Sequence, residues 1–224
     1  DPDLPLEERM KFLGIITRET ERLTRLINQV LDLAKIESGR AEWQVAQVDL
    51  RDAIGVTLAD MSQVFKEKNV RLEMRLPEKV SPVSADNDRL IQVLLNLLSN
   101  ALKFCAAGTG RVDVALSEHG GVVRVDVRDN GPGIASKDQK LIFDKFRQVD
   151  GSSRRKVGGT GLGLAIVKEV VNLLGGSLQT TSTLGRGSKF TISFPGAIDA
   201  TLPLPADLPS IRPSGPDGPL TVLV

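Results

Sequence analysis

Between residues 6 and 38 apolar side chains return every three or four positions, at Phe12, Ile16, Leu23, Leu26, Val30 and Leu33, with Leu13, Ile27 and Ala34 widening the stripe. That period predicts one long amphipathic helix, broken by neither Pro nor Gly except Gly14. Glu19, Arg22, Arg25 and Asp32 fall on its other face, and Ser38-Gly39 is a stop signal for it. A stripe this wide on a lone helix needs partner helices, so a hairpin or bundle completed by another segment or another copy is expected.

Beyond Gly39 the pattern shortens. Residues 45–50 read as a strand, 51–68 as a helix, and 70–76 as an alternating strand that ends at Pro77. Asp86 is placed to cap a helix running to Phe104, with Leu90, Val93, Leu94, Leu97, Leu98 and Ala101 on its apolar face. Alternating strands at 111–117 and 122–129 are joined through the turn signal Glu118-His119-Gly120-Gly121. A Gly-rich stretch, a short helix at 136–147, a polar loop to Gly159, a helix over 162–174 and strands at 177–182 and 188–194 follow, with a boundary near Pro195. Of the chain's 12 prolines, Pro203, Pro205, Pro209, Pro213, Pro216 and Pro219 lie near its end, which reads as an extended or disordered linker. The closing Leu220-Thr221-Val222-Leu223-Val224 is either a tail or the first strand of a further domain.

Composition narrows the chemistry. The 224 residues carry 29 Lys+Arg against 28 Asp+Glu, so no overall field recruits nucleic acid. At 41% hydrophobic and 25% charged the chain can bury a core, and a prior of about 150 residues per domain suggests one domain plus an appendage. One His, one Cys, one Trp and no Tyr exclude His-rich zinc sites, an intrachain disulfide and any Ser or Cys triad not served by His119. There is no apolar run of about 18 residues and no leader-like start, so no membrane contact by this segment is expected.

Three polar or Gly-rich clusters carry the candidate chemistry. Asn96, Asn100 and Lys103 fall at i, i+4 and i+7 of the helix predicted from Asp86, so they share one face. Two amides and an ammonium suit a magnesium triphosphate, and they equally suit a face turned to water. Asp129-Asn130-Gly131-Pro132-Gly133-Ile134 sets a carboxylate at a strand end, followed by glycines that let backbone approach a ligand. A carboxylate only accepts, so it selects a ligand donor such as an adenine amino group; Asn-Gly and Pro-Gly also make a plain turn. Gly158-Gly159-Thr160-Gly161-Leu162-Gly163-Leu164 frees backbone N–H groups where a helix begins and its dipole favours anions, although neither a P-loop nor a G-x-G-x-x-G fingerprint occurs.

In this order the clusters resemble the N, G1 and G2 boxes of the catalytic ATP-binding domain of sensor histidine kinases, in the GHKL ATPase superfamily. Phe143-Asp144-Lys145-Phe146-Arg147-Gln148-Val149-Asp150 resembles that family's F box, and residues 25–39 are similar to the second helix of its dimerisation and phosphotransfer hairpin. The likeness covers about residues 6–196. It implies an α+β fold, a two-layer α/β sandwich whose mixed, mostly antiparallel sheet is covered by helices on one face, preceded by the long helix. It implies a hairpin helix over 1–39, the ATP-binding domain over 40–196, and a Pro-rich linker over 197–224 that is a tail or leads into a receiver domain. The resemblance also implies ATP and Mg²⁺ as cofactors. Asp129 would bind the adenine amino group beside Gly131, Gly133 and Ile134. Asn100 would be the metal ligand, Asn96 would line the same site, and Lys103 would face phosphate. Gly159, Thr160, Gly161 and Gly163 would hold phosphates above Leu162 and Leu164. Phe146 would border the nucleotide, and Arg154, Arg155 and Lys156 of the ATP lid at 148–157 could reach the γ-phosphate.

One position bears on reaction type. Superfamily members that hydrolyse ATP carry a glutamate four residues before the metal-binding asparagine; Asn96 stands there, and an amide is no general base. Transfer to an acceptor imidazole is therefore favoured over hydrolysis. The chain departs from the family in having no His-Glu-x-Arg-Thr-Pro-like acceptor run. Its single His119 reads as an exposed turn residue, Cys105 as a small core filler, and Trp43 as core packing. A fragment lacking the acceptor helix is inferred, which binds ATP without autophosphorylating. Expected partners are the first hairpin helix with its acceptor His, a second copy of the parent, and a response regulator or fused receiver domain, in the cytoplasm. The competing readings are a nucleotide-dependent interaction module, a GHKL ATPase, and an anti-sigma-type serine kinase.

Overall fold

The computed structural model describes residues 5–148 and 160–196. The apolar repeat at the start forms α1 (Leu6–Glu37), whose end is closed by Gly39 at φ 66°, with Gly39 N–H donating to Ile36 O and Arg40 N–H to Lys35 O. Next come β1 (Val45–Val48), α2 (Leu50–Glu67), β2 (Arg71–Arg75), β3 (Val83–Asp86), α3 (Asn87–Phe104), β4 (Arg111–His119), β5 (Val122–Asp129), α4 (Gly163–Leu173), β6 (Ser177–Thr183) and β7 (Gly187–Pro195).

β2, β4, β5, β7 and β6 lie in that order in one sheet, β2 parallel to β4 and all other neighbours antiparallel. Strand alternation sends Val112, Val114 and Leu116, Val123, Val125 and Val127, and Phe190, Ile192 and Phe194 to one face, where all are buried. The register stacks them across strands, Val114 beside Val127 and Val127 beside Phe190. Leu58, Leu90, Leu94, Leu97, Ile166 and Val170 of α2, α3 and α4 cover that face, each such burial contributing roughly 1.5–3 kcal/mol. The opposite face is polar. This is the two-layer, mostly antiparallel α+β arrangement that the resemblance implies. Gly120 at φ 58° and Gly121 at φ 75° supply the tight turn between β4 and β5 and leave His119 exposed.

One strand was not singled out in the sequence, and one expectation needs correction. The strand β3 pairs with β1 in a separate two-stranded sheet, although Val83-Ser84-Ala85-Asp86 is too short to show a period. The helix predicted at 136–147 is absent: the segment holds turns and a 3₁₀ turn at Leu141–Phe143. Leu141, Ile142 and Phe143 are contiguous, so they cannot form a helical stripe; Ile142 is buried and Phe143 meets Phe190 edge-on at 6.5 Å between ring centroids. Trp43 packs against the core with the Arg89 guanidinium 5.7 Å over its ring. No described helix is long and apolar enough to cross a membrane.

Asp86 ties the small sheet to the helix that bears the site. Its Oδ1 accepts from Arg89 N–H at 3.1 Å as the N-cap of α3, and its Oδ2 accepts from Gln44 N–H at 2.8 Å. We expect Asp86→Ala to lower unfolding free energy by about 1–3 kcal/mol in urea denaturation, because a cap and a second partly buried hydrogen bond are lost together. Asp86→Asn should recover part of that loss.

Candidate functional site

α3 supplies the long edge of the site. Its apolar positions Val93, Leu94, Leu97, Leu98 and Ala101 are buried, which leaves Asn96, Asn100 and Lys103 on the half-buried side. The C-terminal carbonyls of α3 are met from outside, since the Lys68 ammonium donates to Leu102 O and, at 2.9 Å, to Lys103 O. Burial, and secondly the Arg22 charge on α1, hold the Lys103 ammonium below the ordinary lysine value.

α4 begins against the same edge. A Cβ added to Gly163, its first residue, would lie 3.1 Å from Asn96 Oδ1 and 4.0 Å from Asn100 Nδ2, so the missing side chain lets the helix start beside both amides. Gly161, at φ 72°, has no room for a Cβ against the backbone of Phe146 and Arg147, and its carbonyl accepts from Phe146 N–H at 3.0 Å. Leu162 is fully buried and Leu164 packs against the core. Arg154, Arg155, Lys156 and Gly159 lie outside the described residues.

The third side is built at the end of β5. Asp129 is buried, and burial pushes its carboxyl above the usual aspartate value against the opposing pull of the Gly131 and Ser188 amides. Gly131 N–H donates to Asp129 Oδ1 at 2.8 Å, and a Cβ on Gly131 would crowd that oxygen and, at 3.2 Å, Phe104 O. Gly133, at φ 71°, sits against Thr183 O, and Ile134 N–H donates to Ser182 Oγ at 2.7 Å. Thus Gly163 meets α3 at Asn96 and Asn100, and Gly131 meets it at Phe104. Asn96 and Phe104 are about 12 Å apart along the helix at 1.5 Å per residue.

Two contributors were not singled out from the sequence. Ser188 faces Asp129 across the register of β5 and β7, which only strand pairing reveals. Gln29 of α1 accepts from Thr160 Oγ1 at 2.6 Å, from 131 positions away; its place on a helix face gives no local signal. Cys105 is buried as a core filler, its thiol raised by burial and then by the Asp129 charge.

Because the folded carboxyl of Asp129 titrates above its ordinary 3.8, the folded state holds a proton that the unfolded chain has released, and stability falls as pH rises through that window. In thermal melts without nucleotide, Asp129→Asn should therefore gain Tm relative to the native chain as pH is raised from 4 to 7. A gap that stays constant with pH would contradict the assignment.

Residues 85–198 match the family described as histidine kinase-, DNA gyrase B- and HSP90-like ATPase, and residues 2–39 match the His kinase A phospho-acceptor domain. Among curated relatives, the circadian input-output histidine kinase CikA of Synechococcus elongatus is 41% identical over 85% of this chain and 26% of its own length. The sensor histidine kinase WalK of Bacillus subtilis is 37% identical over 83% of this chain and 30% of its own. The chain thus spans less than a third of either. The crystal structure of full-length ShkA in complex with AMPPNP superimposes with a TM-score of 0.73 at 31% identity, covering 88% of this chain and 41% of that one. With the Asn-bearing α3, the buried Asp129 and the glycine-opened α4 arranged on this sheet, the chain belongs to the histidine kinase family, with an ATPase domain of the histidine kinase, gyrase B and HSP90 type.

Proposed function

We propose that this chain is the ATP-binding catalytic module of a two-component sensor histidine kinase, with one helix of the dimerisation hairpin at 1–39, the ATP-binding domain at 40–196 and a linker at 197–224. The observation that carries this reading is the placement along α3 of paired amides beside the start of α4 at one end and a buried carboxylate at the other. A nucleotide spans that placement from base to phosphates. That the ShkA structure holds AMPPNP supports it.

Asp129 has accepting capacity left after its two amide hydrogen bonds, and takes the adenine amino group. Gly131, Gly133 and Ile134 shape the wall beside the base, and Phe146 borders it. Gly159, Thr160, Gly161 and Gly163 hold phosphate at the start of α4, above Leu162 and Leu164. Lys103 adds positive charge there, and Arg154, Arg155 and Lys156 extend that charge from the lid. Asn100 offers Mg²⁺ an amide oxygen, the rest of its shell falling to phosphate and water. ATP, when bound, supplies the phosphoryl group. Asn96 gives an attacking water no base, so positioning and charge neutralisation act on transfer to an acceptor imidazole rather than on hydrolysis. That imidazole belongs to a hairpin helix outside this sequence. Leu13, Ile16, Leu23 and Ile27 of α1 are exposed, the apolar surface that such a helix and a second copy of the parent would cover. A response regulator or fused receiver domain takes the phosphoryl group onward, in the cytoplasm.

We expect Asp129→Ala and Asn100→Ala each to weaken Mg-AMPPNP binding roughly 10–100-fold by calorimetry, the scale of a lost charge-assisted hydrogen bond. Unchanged affinity in both would overturn the site. With radiolabelled ATP and a separately supplied acceptor hairpin, label should appear on the hairpin His and none on His119.

A further inference from the structure

α1 turns one row of side chains toward the domain. Arg22, Gln29 and Ile36 recur at heptad spacing and so share a face, with Leu26 and Leu33 filling the turns between. From Leu26 onward every member of the row is engaged: Leu33 and Ile36 are buried, Leu26 packs against the core, and Gln29 accepts from Thr160 Oγ1 at 2.6 Å. Arg22 is the next position of the same row, and its side chain is 53% exposed.

The direction of the row places Arg22. Asp32 accepts from Gln92 at 3.0 Å in the first half of α3, and Gln29 bonds Thr160, just before Gly163 meets Asn96. α1 therefore runs antiparallel to α3. One heptad further, about 10.5 Å at 1.5 Å per residue, Asn96 gives way to Lys103 on one helix and Gln29 to Arg22 on the other. The charges agree with this register, because the Arg22 guanidinium acts on the Lys103 ammonium, adding to burial in holding it below the ordinary lysine value.

Two cations thus converge at the half-buried end of α3. Lys103 lies 4.9 Å from the Phe104 ring centroid and pairs with no carboxylate among the described residues. Arg22 meets Glu19, one turn away on its own helix at 3.4 Å, in a pair exposed on both sides. Such a pair contributes little and is readily exchanged for a stronger partner. Like charges brought together repel until an anion lies between them. A guanidinium grips phosphate oxygens through parallel N–H donors where an ammonium offers a point charge, and an arginine supplied by a neighbouring element is a recurrent way to neutralise a phosphoryl group.

We propose that Arg22 of α1 binds the phosphate tail of the nucleotide from the side facing Lys103, so that the hairpin helix supplies part of the nucleotide site. This rests on the nucleotide reading above and adds to it a residue from outside the ATP-binding domain. Mg-AMPPNP and adenosine are titrated into the full chain, the first followed by calorimetry and the second by NMR. Arg22→Ala should weaken Mg-AMPPNP about 5–10-fold, the scale of one partly exposed charge-assisted hydrogen bond, and keep adenosine within about 2-fold. Arg22→Lys should recover part of the loss, and Arg22→Glu should bind more weakly than Arg22→Ala. Lys35→Ala, which removes a charge from the side of α1 away from Arg22, should bind like the native chain. A helix that only braced the domain would make Arg22→Ala and Arg22→Lys act alike and would weaken adenosine together with Mg-AMPPNP; either result overturns the contact. Native-like Mg-AMPPNP affinity in Arg22→Ala overturns it as well, with the nucleotide reading left standing. A native chain that binds no Mg-AMPPNP overturns that reading and this contact with it.

Discussion

The approach of α4 to α3 at Gly163 is the contact on which the rest of the groove depends. Both helices are fixed from below by the sheet, α3 through Leu90, Leu94 and Leu97 and α4 through Ile166 and Val170, all essentially without exposure. What remains adjustable is how near the first turn of α4 comes to the polar edge of α3. A hydrogen in place of a side chain brings backbone to Asn96 and Asn100 at a spacing where a Cβ would already press on Asn96. Gly161 carries that spacing to Phe146, whose N–H it accepts from and whose backbone leaves no room for a side chain on Gly161.

At the other end the constraint is electrostatic. Asp129 sits where a carboxylate is disfavoured, stabilised in part by the amides of Gly131 and Ser188. A carboxylate held this way is dry and aimed, so it discriminates by hydrogen bonding more sharply than an exposed one. The fold bears a stability cost at Asp129, and its core of aliphatic side chains is large enough to offset it. In the role proposed for Asp129, function and stability pull in opposite directions, as is common at binding sites.

Much of this was legible in the sequence where a period or a cap spans enough residues. The stripes of α1 and α3, the Asp86 cap, the Gly120-Gly121 turn and the alternation of β4, β5 and β7 all express local rules. The three clusters were legible as a set because their order along the chain matches a family pattern. What escaped is non-local. β3 is four residues whose identity as a strand comes from β1, and the segment read as a helix at 136–147 instead follows the shape of the core, with Phe143 against Phe190. The hydrogen bond to Asp129 from Ser188 and that from Thr160 to Gln29 exist only once sheet and helices are assembled.

α1 meets the domain along one side: Asp32 lies 3.8 Å from Arg89 and accepts from Gln92 at 3.0 Å, Glu37 pairs with Lys145, and Gln29 bonds Thr160. Such a seam has a phase as well as a position. Turning α1 by one residue, about 100°, would present Asn28 or Val30 to Thr160 and carry Asp32 off Arg89. The angular setting of the first helix is thereby tied to the hydroxyl of Thr160, two residues before the buried Leu162, so a twist of α1 would break a hydrogen bond just before α4 begins.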